Sequence, residues 1–472
     1  MSEGLQLSSS PQRVLMRLAW PAIVENLSAT LVIFIDSAMV GSLGAIATAA
    51  VGVNASPGWL MNGLVISLGV GGSALVARLT GAKDEAGAAT VARHTMMLAL
   101  ILSLGLMLFA LLGAPLIPRL MGADASVYPD AIAYLRITGL AFMPHFCGAA
   151  ASALLRSRGD TKSPMRAALT ANALNIVGNF LLIFESRQIS VLGLSLWMPG
   201  AGLGVRGVAI ATSFATAVAG GFLLIRLFSQ KGGMGLLQGS LRPEGGMGLL
   251  QGSLRPERGV FGRILRIALP AGLERVSINL GQIVFAGMVT RLGTAALAAH
   301  HLSISIESLG YMPGFGFSVA AATLVGQMLG AGEPRLAREY GWRAIITGGI
   351  TMSFMGLLMF VLAPQLIALF TPDPAVRLIG ASLIRICAFE QPFSALSIIA
   401  PGALRGAGDT AAPFYISLIS MWGVRIVFAW LLGSVLHLGV QGIWWAMVLD
   451  LAVRGLLLLR RFHKGQWVYA KV

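Results

Sequence analysis

Two of the 472 residues are cysteine, only 11% are charged, and Asp and Glu number 19 against 34 Lys and Arg. Each scarcity closes a set of possibilities. Two thiols cannot build a disulfide framework or a thiolate metal cage, and Cys147 and Cys387 fall inside apolar runs, where cysteine packs as a small apolar side chain. A soluble domain carries about a quarter charged residues. The low charge here therefore excludes an ordinary soluble globule. Zinc-hydrolase HExxH, serine-hydrolase GxSxG and phosphate-cradling GxxxxGK[ST] motifs are also missing, so neither an enzyme nor an ATP-driven pump is indicated and no cofactor is expected.

What the chain does have is apolar length. It is 56% hydrophobic with a mean hydropathy of +0.79, and about twenty apolar residues suffice for a helix to cross the hydrocarbon core. Twelve such stretches can be read, at about 18–42, 51–77, 92–117, 129–154, 165–184, 206–228, 264–290, 297–329, 343–370, 377–404, 412–436 and 439–459. The short alternating segments of a membrane β-barrel are missing. The expectation is an all-α integral membrane protein of twelve transmembrane helices.

The formal net charge of +15 is a topology signal. Most Lys and Arg fall in loops on one side, leaving Arg119, Arg187, Arg206, Arg291 and Arg377 on the other. Cytoplasmic loops are enriched in basic residues, so both termini are expected in the cytoplasm of a bacterial inner (plasma) membrane. The first apolar segment is too long for a signal-peptide core and is expected to stay in the mature chain. The basic residues are scattered, with no aromatic-interleaved run, which argues against nucleic acid as a partner. The lipid bilayer is the expected surrounding.

Residues 20–165 lie on 269–414 at a constant offset of 249 without a gap. Pro21 meets Pro270, Glu25 meets Glu274, Met39 meets Met288, Gly44 meets Gly293, and "RSRGDTKSP" meets "RGAGDTAAP". After the fifth helix "LGVRGVAIA" matches "LGVQGIWWA" at an offset of 235, so the first half has the longer loop before its sixth helix. Six crossings per half relate the two lobes by a pseudo-two-fold axis along the membrane normal, a transporter architecture. The expected division is residues 1–228, a linker at 229–262, and residues 263–472. The linker holds "GGMGLLQGSLRPE" twice in immediate succession, at 232–244 and 245–257. Perfect tandem identity in a Gly-rich connection reads as a recent, tolerated duplication.

Ionisable residues inside a span are costly and usually face a cavity or a partner. Asp36 in "VIFIDSAMVG" is the clearest case. Glu25 lies eleven residues earlier, within about 20° of the same helix face, and its counterpart Glu274 leaves a structural role open for both. Asn172, Asn175 and Asn179 stripe the fifth helix at i, i+3 and i+7, with Thr212 following in the sixth. A carboxylate, amides and a hydroxyl are oxygen ligands suited to a hard cation, although membrane asparagines also serve simply to bond neighbouring helices. In the second half Phe285 stands where Asp36 stands in the first. There Glu307, one turn from Tyr311, is a candidate for the substrate path with Asn172 and Glu274, and Glu390 and Arg425 are candidates for an ion pair.

These residues resemble the multidrug and toxic compound extrusion (MATE) transporters over about residues 12–462. The carriers are "WPAIVENLSATLVIFIDSAMVGSLG", "LVARLTGAKD", "LRSRGDTKSP" and the second-half "LVGQMLGAGE" and "LRGAGDTAAP". The resemblance implies two six-helix lobes that rock between inward- and outward-open states, exchanging small-molecule drugs or toxic organic cations for H+ or Na+, in a monomer. It places the family's first-helix acid on Asp36, its fifth-helix amide on Asn175 and its sixth-helix hydroxyl on Thr212; Asn179 and Glu25 join the ion-coupling candidates on the spacing argument alone. If Na+ is the coupling ion, Asp36 and Asn175 would be its ligands. The chain departs from the family pattern at Asn179, where a second acid often stands, and at Ile278 and Ser394, where the NorM-like branch has acids. The two second-lobe departures leave the first lobe as the expected coupling centre. A lipid-linked precursor or polysaccharide-unit flippase of the same broad superfamily is the alternative function.

Overall fold

The computed structural model describes residues 10–191, 194–229 and 257–470, and most of the expected linker, with its tandem repeat, lies outside them. Twelve helical crossings follow one another: α1 (Pro11–Gly41), α2 (Ala45–Gly81), α3 (Glu85–Gly113), α4 (Tyr128–Leu140 and Phe142–Ser157), α5 (Lys162–Leu182), α6 (Gly204–Phe228), α7 (Arg258–Thr290), α8 (Thr294–Gly330), α9 (Pro334–Ala368), α10 (Pro374–Gly406), α11 (Ala411–Val435) and α12 (Gly439–Lys464). Among the described residues nine unbroken helices are long and apolar enough to cross a bilayer, and the two arms of α4, bent by 51°, make a tenth crossing. Helices α5 and α7, of 21 and 33 residues, complete the twelve. They are less apolar because α5 carries Asn172, Asn175 and Asn179, and α7 carries Arg263, Arg266, Glu274 and Arg275.

Local chemistry sets the helix ends. Asp84 and Asp373 cap α3 and α10 by accepting backbone N–H bonds from Gly87 and Ala375, each at 2.8 Å. Gly44 and Gly293, matched by the repeat, both turn the chain at φ +101°, a conformation that side chains with a Cβ rarely adopt. The outward faces are apolar, as Ile101, Leu104, Leu108 and Leu112 of α3 show, and face lipid. Between α5 and α6, where the sequence suggested only a longer loop, Glu185–Val191 and Leu194–Ala201 pair as antiparallel strands β1 and β2.

The repeat explains the polar framework. In the two "GDT" motifs, Asp160 Oδ1 accepts from Ser163 N (2.9 Å) and Asp409 Oδ1 from Ala412 N (3.4 Å). Their other oxygens meet Arg226 (3.6 Å) and Arg461 (2.9 Å) in the sixth helix of each half. Both halves thus tie the start of their fifth helix to the end of their sixth.

The lobes interlock at the end of the molecule that carries the basic residues. Leu15, Leu18 and Ala19 of α1 pack into the second lobe against Phe317, Leu324 and Ala344. Their repeat partners Ile264, Ile267 and Ala268 of α7 pack into the first lobe against Leu75, Ala92 and Leu154. Each half therefore begins in the core of the other.

Deleting 245–257 places the first copy's "RPE" directly before Arg258, so Glu244 replaces Glu257, whose backbone N–H meets His94 Nε2 at 3.1 Å. Halving a connection changes its closure free energy by only about 0.6 kcal/mol. Unchanged membrane abundance and transport are expected. Loss of transport at normal abundance would show that the doubled motif has a role.

Candidate ion-coupling site

Asp36 sits in the last two turns of α1, away from the basic end, and is half-buried. Its surroundings come from the first lobe. Asn179 Nδ2 of α5 donates to Asp36 Oδ1 at 2.7 Å. With the Asn175 amide, one turn earlier, assigned the orientation that satisfies its neighbours, its nitrogen donates to the same carboxylate (Oδ1 at 2.7 Å, Oδ2 at 3.2 Å) and its oxygen accepts from Thr212 Oγ1 of α6 at 3.0 Å. Asn175 and Asn179 are buried. The i, i+4 spacing stacks the two amides on one helix face, which is why the sequence could place them together.

No Lys or Arg among the described residues comes within ion-pairing distance of Asp36. Its charge is held by amide dipoles alone, and Asn179 Oδ1 is buried without a donor. A proton on Asp36, or a cation bridging the carboxylate and the amide and hydroxyl oxygens, would both complete this arrangement. Apolar Met39, Val40, Ile183 and Val208 cluster beside the end of α1, with Tyr134 of α4 packed against them. Tyr134 escaped the sequence reading. Its one signal is that the repeat places it opposite Leu383, as Asp36 stands opposite Phe285.

The other candidates go elsewhere. Glu25 pairs with Arg156 of α4, and eleven residues of helix put it about 16 Å from Asp36. Glu274 is its mirror: buried, it takes Arg405 Nη2 at 2.7 Å and Ser417 Oγ at 3.0 Å. Both pairs span 131 residues of sequence. The geometry thus places Glu25, grouped in the sequence reading with the coupling residues, and Glu274, grouped with the substrate path, in a duplicated helix-to-helix ion pair apart from the Asp36 group. Asn172 is not drawn into the Asp36 group, and its Nδ2 is buried without a partner. Glu307 and Tyr311 lie on α8 in the second lobe, Glu307 beside Glu390 and Cys387 of α10. The suggested Glu390–Arg425 pair does not form. Arg425 Nε instead meets Asp450 Oδ2 at 2.7 Å, and Arg454 Nη2 reaches the same oxygen at 2.8 Å. Asp450 was overlooked although Arg454 stands one turn on in the same helix; only its second partner, Arg425, lies on another.

Twelve crossings in two interlocked repeats, with an intramembrane carboxylate that has no counter-ion among the described residues, define a polytopic membrane transporter. The MatE family model matches the chain twice, over residues 21–181 and 270–431. A probable multidrug resistance protein NorM of Thermotoga maritima is 29% identical over 460 residues, covering 97% of this chain and 93% of that protein. The uncharacterized transporter YisQ of Bacillus subtilis is 27% identical over 461 residues, covering 96% and 94%. A crystal structure of MATE in complex with MaD3S superposes with a TM-score of 0.86 at 24% identity, covering 99% of each chain. The chain belongs to the MatE family. It is a transporter and not an enzyme.

Proposed function

We propose that the protein is a secondary active multidrug efflux antiporter, exporting cationic or amphipathic compounds in exchange for H+ or Na+ by alternating access of its two lobes. It works as a monomer in the bacterial inner membrane with both termini cytoplasmic, as the basic end suggests. The observation that carries this reading is the Asp36 carboxylate held by Asn175 and Asn179 without a basic partner. The names of the NorM relatives support the substrate class.

The fold supplies a way to couple the lobes. Helix α1 starts in the core of the second lobe and ends in the first, where Asp36 lies. Movement of one lobe against the other must therefore bend or tilt α1, and Pro21 within the helix eases the bend. Such a bend changes the water around Asp36 and so its hold on a proton or cation. If substrate and coupling ion compete for the state in which Asp36 is free, binding one favours release of the other.

Reconstituted vesicles with proton and sodium gradients imposed separately test this directly. A fluorescent organic cation should move several-fold faster under one of the two gradients than under neither. Lipid scrambling that needs neither gradient, with no cation movement, would overturn antiport in favour of a lipid-linked precursor flippase.

A further inference from the structure

Three polar side chains in the middle of α7 have no partner among the described residues. The hydrogen-bonding side chains of that helix are Glu274, Ser277 and Thr290; Arg275, Asn279 and Gln282 are not among them, and Arg275 enters no ion pair. Glu274, next to it in the chain, is committed to Arg405 and Ser417. The Arg275 charge is left uncompensated.

The spacing i, i+4 and i+7 puts the three on one face of α7, and contacts with α2 of the first lobe fix where that face looks. Nearer the basic end, a Cβ on Gly71 would lie 2.6 Å from the Ile264 carbonyl oxygen, and one on Gly272 would lie 3.0 Å from Ser67 Oγ. The series reaches Gly63, where a Cβ would lie 3.7 Å from Arg275 Cβ. Gly52, eleven residues earlier on α2, lies on the same face within about 20°, and nothing stands within 4 Å of its Cβ position. The two helices therefore part beyond Arg275. Gly63 and Arg275 stand at the middle of their helices, so the polar stripe starts on the floor of an inter-lobe cleft and climbs its wall.

A mid-span arginine turned toward lipid would be costly, which is why it belongs to a wetted cleft. The facing wall is apolar: Trp59 and Leu60, one turn from Gly63 on α2, are 60% and 42% exposed. The first-half counterparts of the stripe are Asn26, Thr30 and Ile33. Asn26 Nδ2 donates to the Ala22 carbonyl (2.7 Å) and Thr30 Oγ1 to that of Asn26 (3.1 Å), both within α1, and Ile33 is apolar. The uncommitted stripe is thus peculiar to the second lobe.

We propose that Arg275 is the anion-recognition residue of the substrate cleft, and that the compounds it favours are amphipathic aromatic carboxylates. The inference rests on the efflux reading for a substrate path through this cleft and narrows its substrate class. A guanidinium stays charged and matches a carboxylate with two parallel N–H···O bonds. The amides of Asn279 and Gln282 offer further donors along the same face, and the aromatic body of the compound lies against Trp59 and Leu60.

The test uses dansylglycine and its uncharged amide, bound to the purified protein in phosphatidylcholine nanodiscs and read by dansyl emission against empty discs. The wild type should bind the acid about tenfold more tightly than the amide. Arg275→Gln should erase that preference by weakening the acid alone, Arg275→Lys should keep part of it, and Trp59→Ala should weaken both compounds alike. Equal affinities in the wild type, no binding of either, or a loss in Arg275→Gln that is the same for both overturns the proposal. So does displacement of the acid by soluble dihexanoyl phosphatidylglycerol but not by the matching phosphatidylcholine, which would give the site to a lipid headgroup. The wild-type comparison holds whether or not a variant folds. No gradient is imposed, so cation efflux without this preference sinks only the present proposal, and the preference without gradient-driven efflux sinks only antiport.

Discussion

Asp36→Asn is expected to abolish gradient-driven efflux, returning cells to the drug sensitivity of a strain without the transporter, while the protein reaches the membrane in normal amounts. The substitution keeps the side chain's size and lets Asn179 Nδ2 still donate to the oxygen that remains, so the packing of α1 on α5 survives. Carrying a charged side chain into a membrane span is unfavourable. Removing the charge therefore does not threaten assembly. What disappears is the group that can lose and regain a unit charge. Asn175→Ala removes one of two amides on Asp36 and the acceptor for Thr212, and should weaken efflux several-fold without abolishing it. Glu25→Gln serves as the contrast. Leaving Arg156 without its counter-ion should lower membrane abundance, with efflux per molecule and ion dependence kept. The measurement is dye efflux normalised to protein level, with each ion gradient in turn. Full efflux by Asp36→Asn with unchanged ion dependence would move the coupling centre elsewhere, and the Glu307 pair would be next in line.

The second large effect is expected at Gly81 and Gly330. A Cβ on Gly330 would lie 1.8 Å from the carbonyl oxygen of Arg78, and one on Gly81 would lie 1.9 Å from that of Gln327. The repeat relates both glycines and both carbonyls, so α2 and α8 cross backbone to backbone on the pseudo-two-fold axis. By helix propensity alone, replacing glycine would be favourable by up to about 1 kcal/mol. Any loss in Gly330→Val therefore comes from the contact. The variant should insert and fold within each lobe, fail to bring the lobes together at the basic end, and lose efflux. Leu79 and Leu329 line the cleft beside this crossing. A single cysteine at 329 should react with a thiol reagent several-fold faster in Gly330→Val than in the parent. Cys147 and Cys387 are buried and should add little background. Normal efflux with unaltered labelling would mean that this close approach takes no part in the transport cycle.

Much of this molecule was legible in its residues. The number of crossings, their order and the two-lobe repeat follow from apolar length and from a register that aligns polar loop residues, because a span must be apolar to lie in lipid and must satisfy its backbone within itself. The stack of Asn175 and Asn179 on one face of α5 follows from helical spacing. Asp36 is conspicuous because an apolar run gives a carboxylate no local partner.

Tertiary structure alone decided which polar residues meet. Glu25 and Glu274 looked like members of a polar path, but Arg156 and Arg405, each 131 residues away, take them into matching ion pairs. Arg425 chose Asp450 on the next helix over Glu390, which left Glu390 against Glu307. One regularity links the two levels. Polar positions that recur at the repeat offset, such as Glu25 with Glu274 and Asp160 with Asp409, form the shared framework. Those that face an apolar or glycine partner, such as Asp36 opposite Phe285, Tyr134 opposite Leu383 and Glu307 opposite Gly58, gather into clusters peculiar to one lobe. Sequence spacing determines the face of a helix on which a side chain lies, since that depends only on local geometry. The choice of partner across helices depends on how distant segments pack, where one ångström separates an ion pair from a buried charge without one, and only the folded chain settles it.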